Sequence, residues 1–196
     1  MRSVLLLVFS ATPVFAACPT IDDMKSGVRF DLASGEYETL RLVNDTLVES
    51  IFHFDGGGAL RNLLAHGLYL VEVVDLENDT PVPSTRSVYT YPVEPNFMPM
   101  PSVGGSWSTG AALLTSNGIE YETQIYKYGD WAETSFGACT YKSMPITIDY
   151  VFEGEFSGDR DIINWLPELG FGYLAGSIEG EDRTDYTYIS IQKLAK

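Results

Sequence analysis

Two cysteines, two histidines and a few acidic clusters are the residues of this 196-residue chain with chemistry beyond packing. Cys18 and Cys139 lie far apart in sequence, and an even pair in an oxidising compartment favours one disulfide. On the chain-entropy model, closing a loop of about 120 residues stabilises by up to about 4–5 kcal/mol. A second chemistry competes for Cys18. Phe15-Ala16-Ala17-Cys18 has the form of a bacterial lipobox, in which the cysteine is lipidated and becomes the first residue. Phenylalanine stands where that motif usually carries leucine, and Cys139 would be left a free thiol, so the disulfide is the favoured reading.

His53 sits in the strand-like Ile51-Phe52-His53-Phe54, with Glu49 four residues earlier. On a strand, positions 49, 51 and 53 share one face, so Glu49 and His53 stand two pleats apart and cannot ligate one metal unaided. His66 precedes Gly67 and reads as a turn residue. Two histidines without a short-range cysteine or carboxylate pattern predict no zinc site, and an oxidised Cys139 is no nucleophile. Asp55-Gly56-Gly57-Gly58 is followed by Ala59-Leu60-Arg61 rather than the Lys-Ser/Thr of a phosphate loop, so it reads as a loop between strands. Glu179-Gly180-Glu181-Asp182-Arg183-Thr184-Asp185 lacks the ligand spacing of an EF-hand and reads as a solvated turn. Asp159-Arg160-Asp161, after Ser157-Gly158, reads as a polar hairpin tip. There is no Gly-x-Ser-x-Gly elbow. The sequence therefore predicts a non-enzymatic protein with no catalytic residue, no metal and no cofactor, and it names no ligand-binding residue.

The elements that must position these groups are short and β-rich. Val28 to Leu32, Glu36 to Val43 and Leu47 to Phe54 are separated by Gly/Asn/Asp turns, which is a hairpin pattern. Ala59 to Ala65 fits one helical turn or a strand, and Gly67 to Leu76 a buried strand. Ile146, Ile148, Tyr150 and Phe152 alternate with Thr147, Asp149, Val151 and Glu153, the period of a half-buried strand. Tyr186 to Gln192 places Ile189 and Ile191 on one side and Tyr188 and Ser190 on the other. Six of the ten prolines fall between Pro81 and Pro101. The stretch 78–104 is accordingly an extended connection or edge between two halves, with Val88-Tyr89-Thr90-Tyr91 as a short strand. The expectation is an all-β fold: an antiparallel meander forming a curved half-open barrel or a sandwich, with at most one or two short helices. Residues 17–196 form a single β-rich domain.

The first residues and the composition bound the setting. Arg2, the apolar run Val4 to Phe9 and Val14-Phe15-Ala16 make a signal peptide over residues 1–16. That run is too short for a permanent transmembrane span. The protein is expected to be periplasmic or secreted, with lipid anchoring in the cell envelope at Cys18 as the alternative. Acidic residues number 27 against 12 basic, a net charge of −15, which becomes −16 once Arg2 leaves with the leader. Such a surface excludes nucleic acid as a partner, whose binding rests on basic contacts, and disfavours anionic headgroups.

The most distinctive run is Ile162-Ile163-Asn164-Trp165-Leu166-Pro167-Glu168-Leu169-Gly170-Phe171-Gly172-Tyr173-Leu174. Pro167 sets the first corner of a turn and Gly170 can take positive φ at its exit, giving a hairpin with aromatic arms. With Gly105-Ser106-Trp107 upstream, the region from about Val103 to Leu174 resembles exported bacterial proteins of the TapB-like type. Their fold is similar to the half-open barrels of the LolA lipoprotein carriers. The resemblance implies an incompletely closed, curved sheet with a concave apolar face, and it brings no catalytic residues.

Tyr121, Tyr126, Tyr128, Trp131, Phe136 and Tyr141 cluster in sequence, as a core would require or as the wall of an apolar pocket. Three functions follow. The first is a binding or carrier protein for an apolar small molecule or lipid. The second is an envelope interaction or scaffold protein that recognises another envelope protein. The third is a hydrolase, which would need carboxylates converging in a cleft with pKa values driven apart.

Overall fold

The computed structural model describes residues 17–194, so the signal peptide read over residues 1–16 lies outside the described residues. The chain opens with five strands: β1 (Val28–Leu32), β2 (Tyr37–Leu42), β3 (Leu47–His53), β4 (Ala59–Ala65) and β5 (Tyr69–Glu77). The proline-rich stretch contains β6 (Thr80–Pro81) and β7 (Ser87–Thr90). Next come β8 (Ser106–Thr115), β9 (Gly118–Tyr128), β10 (Ala132–Phe136) and β11 (Cys139–Phe152). The last four are β12 (Glu155–Leu166), β13 (Phe171–Glu179), β14 (Asp182–Asp185) and β15 (Tyr188–Lys193). Among the described residues the only helical pieces are 3-10 turns at Asp23–Lys25, Pro83–Thr85 and Pro95–Phe97.

All strands belong to one antiparallel sheet, in the order β14-β13-β12-β11-β9-β8-β7-β5-β4-β3-β2-β1-β15, with β10 beside β11 and β6 beside β5. The fold is the expected curved meander. Its two end strands are consecutive in the chain, joined by Tyr186-Thr187. The Tyr186 amide donates to Ala175 O and the Ala33 amide to Thr187 O, both at 2.9 Å, so this connector touches each end of the sheet. β14 and β15 do not pair with each other, and the sheet stays curved but unclosed.

The proline-rich stretch carries the sheet across. β7 pairs with β5 at Val88–Glu72 and Ser87–Val73, and with β8 from Val88–Leu114 to Thr90–Ala112. Ala59–Ala65 resolves as a strand, because it pairs along its whole length with β3 and β5. The Pro167 hairpin is present. Gly170 takes φ 72° and its amide donates to Leu166 O at 2.9 Å.

Two positions differ from the sequence expectation. In β15 a bulge falls opposite Asp31/Leu32, so Ile189 turns out to solvent while Tyr188 and Ile191 are both buried. One extra residue reverses a period-2 pattern. Asp159-Arg160-Asp161 is not a hairpin tip but the middle of β12. The turn lies earlier, at Glu153-Gly154, where φ is 50° and 86°.

Apolar burial divides into two main clusters. One gathers Met24, Phe30, Leu40, Phe136, Tyr141, Leu166, Phe171, Tyr173 and Tyr188. The other gathers Tyr69, Tyr126, Tyr128, Met144, Ile146, Ile148 and Trp165.

Candidate functional site: a polar cavity on the concave face

Strand register decides which side chains share the concave face. On one wall Leu40 lies opposite Ser50 and Ser50 opposite Asn62, with Glu38 two residues before Leu40 on β2. On the other, Gln124 lies opposite Tyr150, Tyr126 opposite Ile148, and Ile148 opposite Asp161. Between these walls is a cavity of about 150 Å³, lined by Glu38, Ser50, Asn62, Tyr89, Gln124, Tyr126, Tyr150 and Asp161 together with aliphatic residues such as Leu64, Leu70 and Ile163. The concave face is therefore mixed, not the apolar one the resemblance implied.

Its polar groups form two networks. Glu38 accepts hydrogen bonds from Ser50 Oγ and, at 2.8 Å, from Tyr188 OH. On the opposite wall Tyr150 OH donates to Asp161 Oδ2 at 2.6 Å. Beside it, Gln124 Nε2 donates to Glu122 Oε1 at 2.5 Å, while Gln124 Oε1 accepts from Tyr126 OH at 2.5 Å and Tyr91 OH at 3.1 Å. Burial pushes the carboxyls of Glu38, Glu122 and Asp161 above their ordinary values, and the hydrogen bonds offset this only in part. Burial also raises the hydroxyls of Tyr126 and Tyr150, and takes Tyr89 up to about 12. All three tyrosines stay neutral at physiological pH.

No lysine or arginine lines the cavity. Those among the described residues are engaged elsewhere. Asp149 receives Lys127 at 2.7 Å and Arg160 at 2.5 Å, and Glu72 receives both Arg61 and Arg86. Arg29, Arg41, Arg183, Lys25 and Lys193 each pair with another acid, and Lys142 lies over the Trp131 ring at 3.8 Å.

The cysteines, the histidines and the glycine-rich and acidic turns singled out in the sequence lie apart from this cavity, whereas Asp161 and Tyr126 line it. Cys18 and Cys139 are joined, with sulfurs 2.06 Å and Cα atoms 5.5 Å apart. His53 stacks on Tyr37 at 4.2 Å, and burial lowers its pKa. Glu49 pairs with Arg41 at 2.7 Å on the neighbouring strand. His66 sits in the β4–β5 turn with φ 51°. Asp55 to Gly58 connects β3 to β4, and Glu179 to Asp185 spans the β13–β14 hairpin. Among the described residues no three His, Cys, Asp or Glu side chains group as a metal site, and no helix is long and apolar enough to cross a membrane.

The aromatic run is divided between sites. Tyr126 and Tyr128 enter one core and Phe136 and Tyr141 the other, while Tyr121 and Trp131 stay exposed. The site residues that sequence reasoning missed are Glu38, Ser50, Gln124 and Asp161, with Glu122 beside the cavity through its bond to Gln124. Their signal was an acid alternating with apolar residues on one face of a strand: Glu38 with Leu40, Glu122 with Tyr126, Asp161 with Ile163 and Trp165.

No family model matches the chain, and no curated protein matches it. Among solved structures, the fold is similar to the crystal structure of the hypothetical lipoprotein YmcC from Escherichia coli, at 9% identity and a TM-score of 0.48 over 86% of this chain and 87% of that one. A likeness at that level says nothing about what either protein binds. The structure bears out the curved, unclosed antiparallel sheet, and the comparisons do not point to the TapB-like or LolA proteins themselves.

Proposed function

We propose that this is an exported, non-enzymatic binding protein, periplasmic or secreted, that holds a small molecule on the concave face of its sheet. The observation that carries this reading is the cavity of about 150 Å³ to which strands from both halves of the chain contribute. That is the size of void that accepts a single aromatic ring, and it falls below the roughly 300–1,000 Å³ of pockets for drug-sized ligands. A small, largely apolar molecule with a polar group fits it. A whole acyl chain does not.

The alternative is an envelope scaffold. It is favoured by Leu114, Ile119, Tyr121 and Phe156, which are exposed on the β8–β9 and β11–β12 hairpins.

Mass spectrometry of the protein purified from its native envelope tests both. A non-covalent adduct in the native spectrum that disappears on denaturation is the expected result; a bare polypeptide together with a co-purifying protein partner would transfer the assignment to the scaffold. The denatured spectrum reads Cys18 as well. Cleavage after Ala16 with a mass two hydrogens light is expected, and a diacylglycerol and acyl addition would make this an anchored lipoprotein.

A further inference from the structure

Two carboxyls, Glu38 and Asp161, and no basic side chain line the cavity, and their hydrogen bonding differs. Both oxygens of Glu38 take a donor. Glu122, two residues from Gln124 on β9, lies outside the cavity lining and spends Oε1 on Gln124. Asp161 spends Oδ2 on Tyr150, and Oδ1 has none among the described residues. Glu122 and Asp161 are also close enough to feel each other's charge, which adds to burial in disfavouring the anion of Glu122. A carboxyl with one oxygen free, on a void whose lining holds a second acid and no base, is an electrostatic arrangement that lacks its positive partner.

We propose that the molecule held in this cavity is an organic cation, a small ammonium compound, with Asp161 as its counter-charge and the rings of Tyr89, Tyr126 and Tyr150 as its walls. This deepens the binding reading above and rests on it. Tyrosine faces attract ammonium groups, most strongly where water is excluded, and these three side chains line the void. The volume of about 150 Å³ suits a methylated ammonium group and excludes larger cations. A bare metal ion is a poorer occupant, since no three metal-ligating side chains converge among the described residues. The net charge of −15 draws cations toward the protein and repels fatty-acid carboxylates and phosphates.

Calorimetric titration with choline and with 3,3-dimethyl-1-butanol, its uncharged carbon isostere, separates charge from shape. Choline is expected to bind at least about tenfold more tightly than the isostere. Asp161→Asn should weaken choline by about tenfold or more, with no loss for the isostere and no drop in thermal midpoint. Equal binding of the two probes, or tighter binding of the isostere, overturns the cation and leaves the binding reading standing. Should neither bind, the adduct in the native spectrum decides: an ammonium compound upholds the inference and a neutral or anionic one overturns it. With no probe bound and no adduct, both readings fall.

Discussion

Glu38 shows what a buried acid does to a fold when no cation accompanies it. Burial raises its pKa above the ordinary 4.5, so the native state holds its proton more tightly than the unfolded chain does. A group of this kind makes stability fall as pH rises from the unfolded value toward the raised one, and Glu122 and Asp161 act in the same direction. Asp149 and Glu72 act in the opposite sense. Against the pull of burial, hydrogen bonds and charge from Arg160 and Lys127, and from Arg86 and Arg61, hold these two below their ordinary values. Their stabilisation is complete above the ordinary carboxylate range and is lost as pH falls through the lowered pKa. The thermal midpoint should therefore peak in mildly acidic solution. In Glu38→Gln the decline between about pH 5 and about pH 7 should be shallower, as read by thermal melts across that range. Asp149→Ala removes the shared partner of Lys127 and Arg160 from a site only 5% exposed. Both cations keep access to water, so the expected cost is about 1–3 kcal/mol in urea unfolding. None of these acids was legible as a site residue in the sequence. An acid in an alternating strand looks solvent-facing until register across distant strands places it, and Asp161 faces inward because it lies opposite Ile148.

At the scale of elements, the β4–β5 turn is the tightest joint. Gly67 accepts the Gly172 amide at 2.7 Å, linking a turn of the N-terminal half to the start of β13. It takes φ 64°, and a Cβ there would stand 2.4 Å from both Gly170 O and Phe171 Cα. Gly67→Ala combines a left-handed backbone with a clash against main chain that cannot swing aside. The expected loss is about 3 kcal/mol, measured as a shift in the urea midpoint at unchanged slope. The elements themselves were largely legible. β1, β2, β3 and β11 follow from alternation and turn residues, because short-range sterics and one-sided burial write them locally. β15 and the start of β12 were not. A bulge at Ile189 and a turn at Glu153-Gly154 rather than Ser157-Gly158 depend on which partner the strand meets. β7 showed only as a short strand between prolines, since its pairing with β5 and β8 is non-local.

For the whole molecule, the Cys18–Cys139 bond spans 121 residues and holds the segment before β1 against the start of β11. Tyr141 OH adds a hydrogen bond of 2.9 Å to Pro19 O at the same place. Cys139→Ser should lower unfolding stability by about 2–5 kcal/mol, checked against the parent with and without reductant. Reductant should bring the parent to the variant's value and leave the variant unchanged. The pairing of β1 with β15, Phe30 opposite Ile191, reaches further still. A chain that emerges N-terminal end first delivers β1 long before β15. Until then β1 has only β2 beside it, and the Phe30 face lacks Tyr188 and Ile191. Contacts this distant in sequence place folding at the slow end, in milliseconds to seconds. The interval between arrival and completion is when an unpaired edge of this protein is most open to proteases and to chaperones.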